Sequence, residues 1–254
     1  MLLTPAHQFP AGVVLDGERR RELMQWAGDG GLIIEDDYDA EHRYDRPPVP
    51  ALRSMIAEQV CYTGSVSKLL APALRVGWLL QPKYRDALVA AKRSADLGNA
   101  ALPQLVLARL MDSGELERHL RFIRRRHRRR RDAMIEAITA HLPGAVVHGA
   151  AAGLHLMITF APGLADPGHA DTGLAHVSLA DTGAANPGRA DTGPADTGLA
   201  AAALAQGVKV QPLSWHRQRP GPPGLVLGYA ANTTADIAEG GAAIGHALRR
   251  PRSG

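Results

Sequence analysis

Residues 1–113 alternate short apolar runs with stretches of helical pattern, and that alternation constrains the fold more than any other feature. A short apolar run must pair its backbone with neighbours, and the helices between such runs must cover the resulting sheet. The pattern therefore predicts an α/β layer. Leu2-Leu3-Thr4, Leu32-Ile33-Ile34, Val60-Cys61-Tyr62 and Val76-Gly77-Trp78-Leu79-Leu80 read as strands. Asp16 reads as the N-cap of a helix over 17–27, ended by the glycines within 28–31. Pro82 stands where a helix through 91 begins, and a further helix is expected over 102–111.

Residues 114–142 read as one long connecting helix. Leu116, Leu120, Ile123, Met134, Ile138 and Leu142 fall near one stripe, and Pro143-Gly144 stops it. Residues 143–254 read as a smaller α+β domain, with strands at 153–160, 208–212 and 225–229 and helices at 200–206 and 234–248. Residues 161–199 interrupt it. Ala-Asp-Thr-Gly recurs there at 170–173, 180–183, 190–193 and 195–198, with Ala-Asp-Pro-Gly at 165–168 and Ala-Asn-Pro-Gly at 185–188. The unit is too short for a helical solenoid. Its Asp, Gly and Pro favour turns, and its few large apolar groups do not offset the entropy of ordering. The segment reads as a disordered, low-complexity insertion. It lacks the large apolar position of β-roll repeats, which argues against calcium binding.

The chain is 45% hydrophobic, enough to bury a core. Its formal net charge of +4 is a local matter, because Arg124-Arg125-Arg126-His127-Arg128-Arg129-Arg130-Arg131 alone carries seven positive charges. Eight consecutive helical residues point in all directions, and no aromatic residues interleave for base stacking. Glu115, Glu117, Asp132 and Glu136 flank the run, so it reads as the solvated surface of the connecting helix rather than a nucleic-acid site. Cys61 is the only cysteine, which excludes a disulfide within the chain. Met1-Leu2-Leu3 runs into Thr4-Pro5 without the basic start and apolar core of a signal peptide. No apolar run reaches the length of a membrane span. A cytoplasmic protein with no membrane partner is expected.

Chemistry concentrates in Tyr62-Thr63-Gly64-Ser65-Val66-Ser67-Lys68 and in Arg75, seven residues on. A lysine just after a short strand, flanked by hydroxyls and a guanidinium, suits a phosphorylated aldehyde. The amine forms an imine, while Ser65, Ser67 and Arg75 take the phosphate. The apolar Leu69-Leu70-Ala71-Pro72 predicts that the Lys68 stem enters an apolar region. Upstream, Ile33-Ile34-Glu35-Asp36-Asp37-Tyr38-Asp39 is a strand ending in acids and a tyrosine. A carboxylate at the C-terminal end of a parallel strand lies where α/β proteins bind ligands. Pyridoxal 5'-phosphate (PLP) needs such a carboxylate beside its pyridine nitrogen. Alternation leaves Asp36 or Glu35 facing the site, and pattern does not choose between them; Asp37 and Asp39 compete as well. Tyr38 is a candidate donor to the phenolic oxygen of PLP. His7 and Gln8, in a Pro/Gly loop after the first strand, are candidates to reach the cofactor face.

These blocks resemble the fold-type I PLP-dependent enzymes of the aspartate aminotransferase superfamily, and more closely the aminotransferase-like domain of MocR-type regulators in the GntR family. The likeness rests on Thr4-Pro5-Ala6-His7-Gln8-Phe9-Pro10-Ala11-Gly12, on Ile34 to Asp39 with Arg43-Tyr44, on Gly64 to Lys68 with Pro72, Arg75 and Gly77, and on Leu225 to Ala230. It covers almost the whole chain except 161–199. It implies a partial PLP-binding large domain over 1–113 and a smaller C-terminal domain. It implies that Lys68 forms the Schiff base, Asp36 faces the pyridine nitrogen, Tyr38 the phenolic oxygen, and Ser65 and Arg75 the phosphate. Gln8-Phe9 stands where aminotransferases have a cofactor-contacting asparagine. Val226 stands where they have an arginine that clamps the substrate carboxylate, with Arg217 and Arg219 nearby in sequence. Loss of that clamp favours a sensor. The resemblance thus implies the effector-sensing part of a MocR-type regulator, with an aminotransferase acting on an amino acid/keto acid pair as the alternative. Expected partners are a small amino compound or PLP itself, and a second copy of the chain in a homodimer. DNA would be reached only through an N-terminal module that this sequence does not contain. The chain begins part-way through the large domain of that family, so an open apolar sheet edge is expected.

Overall fold

The computed structural model describes residues 1–39, 41–45, 49–161 and 195–249. Most of the low-complexity segment therefore lies outside the described residues. The chain divides into two compact units, Met1–Gln8 with Val14–Arg124, and Phe9–Val13 with Arg125–Gly254.

The first unit carries a four-stranded sheet in the order β1-β2-β3-β4. Its strands are β1 (Leu2–Leu3), β2 (Ile33–Asp37), β3 (Val60–Ser65) and β4 (Gly77–Leu80). β1, β2 and β3 run parallel, and β4 pairs with β3 antiparallel. Helix α1 (Gly17–Gly28) begins where the sequence predicts, because the Asp16 carboxylate accepts the Arg19 N–H at 2.8 Å. Gly30 ends the turn at φ +102°, a conformation open to glycine. α1 closes one face of the sheet: Ala27, Ile33, Leu52 and Val60 are fully buried together, with Leu3, Leu23 and Ile56 packed against them. Each large aliphatic side chain so buried stabilises the fold by about 1.5–3 kcal/mol. Beyond β4, α2 (Arg85–Asp96) and α3 (Ala101–Asp112) bury none of their side chains. Leu79, Leu80, Val89, Leu97, Leu102 and Leu105 are exposed.

α4 (Glu115–His141) is the long helix. The second unit has an antiparallel sheet in the order β5-β6-β8-β7. Its strands are β5 (Val146–His148), β6 (His155–Thr159), β7 (Gln211–Pro212) and β8 (Gly224–Gly228), packed with α5 (Ala195–Leu204) and α6 (Thr234–Arg249). β5 is absent from the sequence reading because three residues give no alternation to recognise. α6 crosses α4 closely: a Cβ built on Gly241 would lie 2.6 Å from the Ala137 Cβ, and one on Gly245 would lie 2.4 Å from the His141 carbonyl oxygen.

α5 departs from the sequence reading. It begins inside the repeat, at Ala195, five residues before the expected start. Asp196 is the reason. It is 2% exposed, and its carboxylate accepts the Ser214 N–H at 2.9 Å, the Ser214 hydroxyl at 2.7 Å and the Gly224 N–H at 3.3 Å. One copy of a turn-like repeat is thus fixed by donors from two distant segments. Asp196→Ala leaves those donors unpaired, and the expected loss is about 3 kcal/mol of stability in urea unfolding. Asp196→Asn, which keeps an acceptor oxygen, is expected to lose less.

Candidate cofactor site

Strand alternation sorts the three acids of β2. Glu35 points to the α1 side of the sheet, where it is 2% exposed. Its two oxygens accept the Leu52 N–H at 2.8 Å and the Arg53 N–H at 3.0 Å, capping the short turn of Leu52–Ser54. Asp37, two residues on, accepts the Tyr62 hydroxyl at 2.8 Å. Burial, then the Asp37 bond and charge, push the Tyr62 pKa well above its usual range. Asp36 faces the opposite way. It is half-buried, and the Thr63 hydroxyl donates to it over a long 3.3 Å. β2 and β3 pair Asp36 with Thr63 in register.

Tyr38 follows β2, half-buried, and its hydroxyl donates to the His7 carbonyl at 3.2 Å. Burial first, then the charges of Asp39 and Asp36, raise its pKa well above 10. The phenol stays protonated and acts as a donor. His7 is 1% exposed, and its Nδ1 lies 2.7 Å from an Asp39 oxygen. Asp39 therefore belongs to a buried pair that fastens the His7 loop to the end of β2. Gln8 is exposed, and its side-chain oxygen accepts the Thr4 hydroxyl at 2.7 Å.

The β3–β4 connection gathers the rest. Ser65 pairs with Gly77 across the strands, and the Val66 N–H donates to the Val76 carbonyl at 3.1 Å. Ser65, Ser67, Lys68 and Arg75 thus lie on one closed loop at the C-terminal end of the parallel strands. The Ser67 N–H reaches the Ser65 hydroxyl at 3.4 Å. Arg75 sits at φ +51°, a left-handed backbone uncommon for a residue with a Cβ, and such strain at a loop of this kind is a pointer to function.

Lys68 differs from the expectation that its stem enters an apolar region. Val66 takes the buried position, at 2% exposed, and Lys68 lies in the turn that follows, with its side chain exposed. Two histidines that sequence reading missed hold this turn. His42 Nε2 is 3.4 Å from the Lys68 carbonyl, and His119 Nε2 is 2.9 Å from the Leu69 carbonyl. No local signal announces either contact, because each joins segments tens of residues apart. In the second unit, Val226 is buried in β8 at 5% exposed. Arg217 turns back onto the Pro222 carbonyl of its own loop.

Residues 3–213 match the Aminotransferase class I and II family. The chain belongs to that family, and its domain is of the fold-type I PLP-dependent, aminotransferase-like kind, related to the effector domains of MocR/GntR regulators. YhdI, an uncharacterized HTH-type transcriptional regulator of Bacillus subtilis, is 35% identical over 164 residues, covering 62% of this chain and 34% of the relative. Aromatic-amino-acid aminotransferase 1 of Thermococcus litoralis is 34% identical over 145 residues, covering 56% of this chain and 35% of the relative. The solved structure of LysN, an alpha-aminoadipate aminotransferase from Thermus thermophilus, superposes with a TM-score of 0.77 at 27% identity, covering 97% of this chain and 58% of that one. The chain thus spans about a third of the length of these curated relatives.

The buried His42 makes the lysine turn sensitive to pH. Burial, the largest cause, lowers its pKa below the usual 6.5. The unfolded chain takes up a proton near the usual value, whereas the folded chain does so only at lower pH. The contribution of His42 to stability is therefore complete above that value and is lost as pH falls through it. The slope is at most about 1.4 kcal/mol per pH unit. Urea unfolding of His42→Gln is expected to show a shallower loss between about pH 7.5 and about pH 5.5 than the parent chain. The residual slope includes His148, also held low by burial and by Arg217.

Proposed function

We propose that this chain carries the lysine-bearing part of a PLP site, and that the protein acts as an aminotransferase, moving an amino group between an amino acid and a keto acid. The observation that carries the reading is the grouping of Ser65, Ser67, Lys68 and Arg75 on the loop that follows the Asp36-bearing strand pair. The donor set suits the cofactor chemically: hydroxyls and a guanidinium for a phosphate, an amine for an aldehyde, and a carboxylate with one long hydrogen bond for a pyridinium. LysN was solved with N-(5'-phosphopyridoxyl)-L-leucine, which supports the same cofactor here.

When bound, PLP supplies an electron sink next to the reacting carbon. Asp36 would hold a proton at the pyridine nitrogen. Tyr38, kept protonated by burial and neighbouring acids, would donate to the phenolic oxygen. Ser65, Ser67 and Arg75 would hold the phosphate. Lys68 would hold the cofactor by its aldehyde, and its amine would carry protons to and from a bound substrate.

The sequence reading favoured the sensor role of a MocR-type regulator. The aminotransferase fold and the match of 3–213 to the aminotransferase family support the enzyme at least as well. Likeness to HTH-type regulators keeps the second reading in play, as do the buried Val226 and the inward-turned Arg217, which leave the carboxylate clamp without its arginine at that position.

Purified protein mixed with PLP is expected to gain a visible absorption band. Lys68→Ala is expected to lose the band, and Asp36→Asn to weaken cofactor affinity by about tenfold or more. Absence of the band in folded protein contradicts both readings. Repeated conversion of an amino acid to its keto acid supports the enzyme, and one stoichiometric spectral change without turnover supports the sensor.

A further inference from the structure

The Lys68 amine makes no hydrogen bond or ion pair among the described residues, so its place depends on the backbone that carries it. That backbone is held from both sides. The Leu69 and Leu70 N–H groups donate to the Val66 carbonyl at 3.1 and 2.8 Å. The Lys68 and Leu69 carbonyls face the Nε2 atoms of His42 and His119. A carbonyl only accepts, so each imidazole must carry its proton on Nε2.

The two imidazoles come from different parts of the chain, 26 and 50 residues from their partners. His42 is fully buried. His119 is half-buried on α4, one helical turn before the buried Ile123, and so shares its inner face. A third contact joins these two supports. Arg124, also on α4, donates through Nε to the Glu41 carbonyl at 3.0 Å and through a second nitrogen to the Glu41 carboxylate at 3.1 Å. Glu41, His42, Lys68, Leu69, His119 and Arg124 all belong to the first unit. The lysine turn, the Glu41-His42 segment and the start of α4 therefore close a ring of contacts. Arg124 and Glu41 are 41% and 49% exposed, and a pair so exposed contributes little to stability. Its effect is on direction: it fixes the segment from which His42 reaches the turn.

We infer that Glu41, His42, His119 and Arg124 are positioning residues that set where Lys68 presents its amine. A lysine stem is long and flexible, so any freedom of its backbone adds to its own. A fixed backbone narrows the volume that the amine searches and raises its effective concentration at an aldehyde held by the neighbouring hydroxyls and guanidinium. The inference rests on the cofactor reading and adds to it residues that touch neither cofactor nor substrate.

The test reduces the full chain with borohydride in the presence of PLP and quantifies the label on each of its four lysines. His119→Phe keeps an aromatic ring but no donor, and His119→Gln keeps a donor near the place of Nε2. The share of label on Lys68 is expected to fall about fivefold in His119→Phe and to recover in His119→Gln. Arg124→Ala, which removes only an exposed contact, is expected to lower that share about twofold with an unchanged midpoint in urea unfolding. It carries the test if His119→Phe does not fold. A histidine that served stability alone would lower the urea midpoint of His119→Phe and leave the label on Lys68, which overturns the inference. Label that favours Lys68 in the parent chain and stays there in every folded variant overturns the positioning role and spares the cofactor reading. Label that does not favour Lys68 in the parent chain overturns both.

Discussion

The buried carboxylate of Glu35 organises the first unit. By accepting the Leu52 and Arg53 N–H groups, it joins β2 to the turn that supplies the core residue Leu52. It also fixes the register of β2. A strand alternates sides at every residue, so committing Glu35 inward commits Asp36 outward. Asp36 then lies beside Thr63, on the strand that leads into the lysine loop. One structural acid and one candidate functional acid stand next to each other because the backbone gives them opposite faces.

The same economy holds in the loop itself. Val66 enters the core and anchors a turn whose carbonyls meet His42 and His119, while Lys68 and Arg75 extend to solvent. The rigid parts are apolar or hydrogen-bonded, and the reactive parts are left exposed at the end of the sheet. Sites built on a fixed second layer of this kind hold their chemistry in place without burying it.

The α/β layering was legible because strand and helix periods differ, and α1 was legible to its first residue because Asp16 is a local cap. The choice of Asp36 over Glu35 was not, since the donors that claim Glu35 lie 17 and 18 residues away. α5 was misread for a related reason. Asp196 has the same sequence neighbours as its repeat copies, and the partners that bury it, Ser214 and Gly224, lie 18 and 28 residues away. The exposure of Lys68 escaped a reading that took Leu69 and Leu70 as its surroundings, when Val66 is the residue that turns inward. Within the arginine run, packing alone decides which charge leaves the surface: Arg131 lies on the buried face of α4. Short-range signals set the elements, and long-range partners decided which polar groups serve the fold.

The chemistry assigned to this chain turns on whether the amine at position 68 differs from those of the other lysines. The chain has four, Lys68, Lys83, Lys92 and Lys209, and all are exposed, so exposure alone gives no preference. Borohydride reduction of the protein in the presence of PLP, followed by peptide mass mapping, reads that difference. The phosphopyridoxyl group is expected on Lys68, with a lower yield in Asp36→Asn and in Arg75→Ala. Label spread evenly over the four lysines, or concentrated on any of the other three, would contradict the assignment.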